Sequence, residues 1–160
     1  MQYKVNQNYV LKYIIFKKFK MKKIVLLLSL LIVLFSCDNA SFNNNNPYLP
    51  NYAFSMQINT NLPLYNNLKF ASNSVKVYPS NGPSRGVIVF NTGSGFLAYD
   101  GACPNQEITS CSSLTINGIE VKCPCDDAVY NLFTGQSPGK QYLLKQYRVE
   151  GNGDEIRVYN

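Results

Sequence analysis

Val87-Ile88-Val89-Phe90-Asn91-Thr92-Gly93-Ser94-Gly95-Phe96-Leu97-Ala98-Tyr99-Asp100 places two runs of β-branched and aromatic residues on either side of a glycine-rich break. Such runs favour strands, and the break joins them as a hairpin loop. The same alternation of apolar runs and turn residues continues in both directions. It predicts strands over residues 54–59, 74–78, 86–91, 96–100, 113–116, 119–123, 129–131, 145–150 and 155–159. Asn117-Gly118 is expected to turn one hairpin, and Gly151-Asn152-Gly153-Asp154 the last. No window from 52 to 160 sustains a 3.6-residue apolar period. The expected fold class is therefore all-β, a small antiparallel barrel or sandwich. There is no internal repeat and no phosphate-binding glycine loop of the right form.

The 160-residue chain contains no histidine. This excludes a Ser-His-Asp triad, a Cys-His dyad, a His-ligated zinc or haem and a histidine general base, since each needs an imidazole. The net charge of +6 suggests a nucleic-acid partner until its placement is considered. Seven of the 15 basic residues and none of the nine acids precede Cys37, so the remainder is close to neutral. No Lys/Arg stripe is left to neutralise phosphates, and no nucleic-acid partner is expected. The tyrosines are read as strand and core residues, with Tyr48, Tyr52 and Tyr65 as an alternative recognition cluster.

Lys22 and Lys23 precede an apolar run, residues 24–35, broken only by Ser29. Twelve residues are too few to span about 30 Å of hydrocarbon, but they match the apolar core of a signal peptide. The run ends in Leu34-Phe35-Ser36-Cys37, which resembles the lipobox of bacterial lipoproteins. That resemblance implies that residues 1–36 are a signal peptide and that Cys37 becomes an acylated first residue. Its two or three chains would hold a membrane more firmly than one can. The implied location is the bacterial cell envelope, on the outer membrane rather than the inner, facing periplasm or surface. An ordinary cleaved signal or an uncleaved anchor is the simpler alternative, with Cys37 a plain thiol. Residues 1–20 carry five lysines upstream of a complete signal and read as an over-extended start, with translation from Met21. Residues 37–50, with Asn43 to Asn46, Pro47 and Pro50, read as a flexible tether, because so polar a stretch buries little apolar area. The folded domain is expected over 51–160.

Cys103, Cys111, Cys123 and Cys125 remain. An exported chain favours disulfides, and three pairings are open. Cys103-Pro104-Asn105 and Cys123-Pro124-Cys125-Asp126, however, resemble the two cluster-binding loops of Rieske iron-sulfur proteins, C-x-H and C-x-x-H. The likeness includes the hairpin quoted above, Tyr130-Asn131-Leu132-Phe133-Thr134-Gly135 after the second loop, and Ser137-Pro138-Gly139 where that family has a proline loop. It runs on through Tyr147-Arg148-Val149-Glu150 to Val158 and covers roughly residues 75–160. It implies a Rieske-like β barrel or sandwich carrying a loop-rich subdomain of the cluster-binding type.

The departures fall on the ligands. In that family two cysteines hold one iron and two histidines the other. Here the resemblance places Cys103, Asn105, Cys123 and Asp126 at the four ligand positions. An amide oxygen is a poor iron ligand, and a carboxylate is hard and lacks the imidazole N–H. Asp127 replaces a usual glycine, and Ala128 replaces a serine found in many members. The resemblance thus implies a dismantled site with no metal or cofactor. In that family the cysteines matching Cys103 and Cys123 share one iron with their sulfurs about 3.5–4 Å apart, which implies that they can close to a bridge once the metal is lost. Cys125 matches the second cysteine of the C-P-C-H loop in cytochrome bc complexes, disulfide-bonded there to a first-loop cysteine, which implies Cys111–Cys125.

The expected function is a cluster-free binding or structural module at the envelope, anchored to the membrane through Cys37 and facing a protein partner there. One alternative is a 2Fe-2S electron carrier using Cys103, Cys123, Asp126 and either Asn105 or Cys111. Another is a structural zinc on all four cysteines, made awkward by the single residue between Cys123 and Cys125. No enzyme is expected. Asp126 and Asp127 read as a solvated turn, and the chain lacks the second iron site of Rieske oxygenases.

Overall fold

The computed structural model describes residues 44–160; the expected signal peptide, the expected acylation site at Cys37 and the first part of the expected tether lie outside them. The strands are β1 (Ser55–Asn59), β2 (Ser74–Val77), β3 (Val87–Asn91), β4 (Phe96–Asp100), β5 (Thr115–Asn117), β6 (Glu120–Lys122), β7 (Val129–Asn131), β8 (Gln146–Asn152) and β9 (Glu155–Tyr159). Each lies within two residues of its expected bounds. Every pairing is antiparallel, in a six-stranded sheet ordered β1-β9-β8-β4-β3-β2 and a three-stranded sheet ordered β5-β6-β7.

The apolar run of β3 is buried on both faces, and the period of two divides it between two cores. Val87 and Val89 join Phe54, Ile58, Ala98, Tyr147, Ile156 and Val158 on one side. Ile88 and Phe90 face the other, where they meet Tyr99, Val121, Tyr130, Leu132 and the sulfurs of Cys103 and Cys123. The first four of the five β3 residues, Val87 to Phe90, have 0 % exposure. Full burial of such a side chain is worth about 1.5–3 kcal/mol. Because β3 walls both cores, Phe90→Ala would open a hole costing about 3–5 kcal/mol. The small sheet and its loops thus pack on a rigid wall.

The structure changes three expectations. A 3-10 helix, Pro63–Lys69, lies between β1 and β2. It begins on a proline and buries only Leu68, so it leaves no helical apolar stripe in the sequence. The β5–β6 turn is shifted by one residue: Asn117 pairs with Glu120, leaving Gly118 and Ile119 at the centre. Gly118, at φ +61°, occupies the first central position, where a type II′ turn calls for glycine.

Residues 44–50 are the third change, because they are docked where a tether was expected. Asn46 Nδ2 donates to the Pro104 carbonyl at 2.8 Å, and its Oδ1 accepts from the N–H groups of Tyr48 and Leu49. Leu49 is buried. The Lys145 ammonium, only 3 % exposed, donates to the carbonyls of Leu49 and Pro50 and to Asn51 Oδ1 at 2.7–2.9 Å. Burial lowers the pKa of Lys145, against the pull of Asp100. Asn44 Nδ2 donates to the Gln146 carbonyl at 2.7 Å. Hydropathy does not reveal this strap because specific polar bonds to distant segments hold it, with Leu49 its one fully buried apolar side chain.

Candidate functional site

Two loops meet beside the second core, one after β4 and one between β6 and β7. The first is anchored at its base by Asp100, whose buried carboxylate accepts from the Ala102 N–H at 2.9 Å and the Tyr147 hydroxyl at 2.7 Å. Burial raises the Asp100 pKa despite these bonds and the nearby Lys145 and Lys76 charges. Gly101 follows, where an added Cβ would lie 2.1 Å from the Arg85 carbonyl, so no larger residue fits. The Cys103 N–H then donates to the Ser112 carbonyl, and the Arg85 guanidinium donates to the Thr109 carbonyl at 2.6 Å.

The second loop is closed by the Cys123 N–H donating to the Ala128 carbonyl at 2.8 Å. Asp127 within it has φ +56°. Aspartate tolerates this left-handed conformation better than most residues. Its carboxylate pairs with Lys122 at the surface.

Two bridges join the loops. Cys103 pairs with Cys123 across Cα atoms 5.6 Å apart, and Cys111 with Cys125 across 5.2 Å. This is the pairing that the resemblance implies. The first bridge is part of the core, with its residues 1 % and 0 % exposed. The second lies at its edge, with Cys111 exposed and Cys125 half-buried against the same core. The sulfurs of Cys103, Cys123 and Cys125 all lie within 4.8 Å of one another.

Asn105 and Asp126 make hydrogen bonds to a third loop. Asn105 Oδ1 accepts from the Tyr142 N–H at 2.9 Å, and Asn105 Nδ2 donates to the Tyr142 carbonyl at 2.7 Å and the Tyr130 hydroxyl at 3.0 Å. Asp126 Oδ2 accepts from the Lys140 ammonium at 2.6 Å, and its Oδ1 accepts from the Ala128 N–H. Partial burial pushes the Asp126 carboxyl upward, but these bonds and the Lys140 charge outweigh it and hold the group below the usual carboxylate range. Asn105 and Asp126 thus both reach 140–142, the stretch just after Ser137-Pro138-Gly139.

Sequence reasoning missed Lys140, Tyr142 and Tyr130 as partners, together with Thr109 and Ser112, whose hydroxyls lie near the outer sulfurs. Only the position of Lys140 directly after the proline loop offered a signal. Of the suspected recognition cluster, Tyr52 and Tyr65 pack against the first core and Tyr48 lies edge-on to Tyr142 at 5.8 Å.

No family model and no curated protein matches the chain. Among solved structures, it is similar to a complex of reduced oxygenase and oxidized ferredoxin in carbazole 1,9a-dioxygenase, with 19 % identity, 67 % of this chain and 94 % of that one covered, and a TM-score of 0.46. It is also similar to the ferredoxin of carbazole 1,9a-dioxygenase from Nocardioides aromaticivorans IC177, at 16 % identity, 67 % and 98 % coverage and a TM-score of 0.43. A third is the Sphingomonas yanoikuyae B1 ferredoxin, at 18 % identity, 57 % and 88 % coverage and a TM-score of 0.41.

Proposed function

We propose that the chain is a membrane-anchored envelope lipoprotein whose Rieske-like domain carries no 2Fe-2S cluster and serves as a disulfide-stapled binding or structural module. One observation carries the reading: all four positions that match cluster ligands are engaged within the protein. Cys103 and Cys123 are bonded to each other, Asn105 is bonded to Tyr130 and Tyr142, and Asp126 is bonded to Lys140 and Ala128. A cluster needs soft thiolate and imidazole donors. Here two would-be donors are a cystine, and the others are an amide and a carboxylate with structural partners. This donor set does not fit the group, and no chemistry is assigned through it.

What the cluster supplies as a cross-link in the resembled family, the two bridges supply here. Each ties the loop after β4 to the loop after β6, and each removes freedom from the unfolded chain worth about 3 kcal/mol in the chain-entropy model. The loops stay shaped, and a shaped loop surface on a lipid tether suits a partner in the envelope. Cys37 is the proposed acyl site, and the outer membrane the proposed location.

The test uses the full chain, made with ample iron and extracted from membranes. Absorbance, iron, labile sulfide and thiols are measured before and after reduction. A colourless protein without iron, whose Cys103, Cys111, Cys123 and Cys125 react only after reduction, is expected. Stoichiometric iron and sulfide would overturn the reading and make the chain an electron carrier with unusual ligands.

A further inference from the structure

We propose that the outer bridge, Cys111–Cys125, is a reaction site for an external dithiol, and that its opening lets Cys125 exchange with the inner bridge, Cys103–Cys123. The two bridges differ in access, as noted: the inner pair is sealed in the core, while Cys111 is exposed. They are nevertheless in reach of each other, since the Cys125 sulfur lies within 4.8 Å of both inner sulfurs. Hydroxyls surround the outer pair. Thr109 Oγ1 is 3.2 Å from the Cys111 sulfur and 3.7 Å from the Cys125 sulfur, and Ser112 Oγ is 3.8 Å from the Cys125 sulfur. They can donate to a sulfur that takes on negative charge, which eases its departure.

The steps balance. An external thiolate attacks the Cys111 sulfur, a mixed disulfide forms, the Cys111–Cys125 bond breaks, and its electron pair leaves on Cys125. The Cys125 thiolate then attacks an inner sulfur. Attack at Cys103 forms a Cys103–Cys125 bond and expels Cys123 as thiolate, with no net change in oxidation. Attack at Cys123 would close a ring with only Pro124 between its ends, so Cys103 is the favoured target. Finally the second thiol of the reductant attacks the mixed disulfide and releases Cys111. One dithiol becomes a disulfide, one protein cystine becomes two thiols, and the protons follow the thiolates.

Exchange carries a surface redox event into the core. It converts a doubly stapled loop pair into one held by a single, different bridge. Such a pair has two states that a reductant sets. The inference rests on the cluster-free reading, so iron, sulfide and thiols are counted on the same sample first. Finding iron defeats that reading; finding two bridges that do not exchange defeats only this one.

In full-length Cys111→Ser, Cys125 has no fixed partner. Quenching in acid, unfolding and alkylation with N-ethylmaleimide at low pH, followed by peptide mass analysis, is expected to find the free thiol shared between Cys125 and one inner sulfur, chiefly Cys123. Label on Cys125 alone would overturn the proposal. Should the variant fail to fold, wild-type chain treated with less than one equivalent of dithiothreitol gives an independent answer. Cys111 is expected to be labelled in every singly reduced molecule, with the second label shared between Cys125 and Cys123. Labels confined to Cys111 and Cys125, or appearing first on Cys103 and Cys123, would overturn it.

Discussion

Asn105 and Tyr142 are joined by a reciprocal pair of hydrogen bonds, the amide oxygen accepting from the Tyr142 N–H and the amide nitrogen donating to the Tyr142 carbonyl. The side chain thereby imitates a neighbouring strand and holds the third loop against the first. Asn105→Ala removes both bonds and the one to Tyr130, and is expected to cost about 2 kcal/mol in urea unfolding. Asn105→His should also destabilise, because a neutral imidazole offers one donor and one acceptor where the amide makes three bonds. An unchanged midpoint in both variants would show that the third loop is held by other contacts.

The Asp126–Lys140 pair sets a pH dependence whose sign is determined. Asp126 titrates lower in the folded protein than the value of about 3.9 typical of unfolded chains. Its contribution is therefore complete above that value and is lost as pH falls through the lower, folded one. The stability gap between wild type and Asp126→Asn should be constant near neutrality and close below about pH 4. A gap that widens on acidification would contradict the assignment.

Replacing each bridge by an alanine pair separates their roles. Loss of either should cost about 3 kcal/mol, with separations of 20 and 14 residues giving nearly equal entropic terms. The inner pair should cost about 1 kcal/mol more, because its removal also leaves space inside the core. Denaturant melts of the two double variants make the comparison, and equal costs would place both bridges outside the core energetics.

Lys145→Met tests the strap. The substitution keeps most of the buried stem but leaves the Leu49 and Pro50 carbonyls without their ammonium donor. A cost of about 3 kcal/mol is expected, with faster hydrogen exchange confined to 44–51. Exchange that rises uniformly over the domain would mean that the strap is part of the global unfolding unit.

Cys37→Ala tests the anchor. Replacement of the proposed acyl site should move the chain from the membrane pellet to the soluble fraction and block signal removal at that site. Membrane retention of the variant would show a different attachment.

Much of the architecture is legible in the sequence. A period of two, β-branched runs and glycine breaks specify strands locally, so all nine were found; β3 and β4 carried the plainest signal because Val87 to Phe90 has no polar face to blur. The 3-10 helix Pro63–Lys69 was missed, since one buried leucine makes no periodicity. The β5–β6 turn was misplaced by one residue because Asn117-Gly118 and Gly118-Ile119 are both reasonable turn centres, and pairing across the sheet chooses between them.

The site divides in the same way. Cysteine spacing marked two loops, because motif chemistry is a local property of the chain. Which groups Asn105 and Asp126 meet depends on Tyr142 and Lys140, tens of residues away or on another loop, and no local pattern encodes which distant carbonyl or ammonium an amide or carboxylate will meet. The docking of Asn44 to Pro50 is of the same kind. Strand and turn preferences are energies of neighbours along the chain, whereas a single polar bond between distant segments gains its meaning only when folding has brought both groups out of water together.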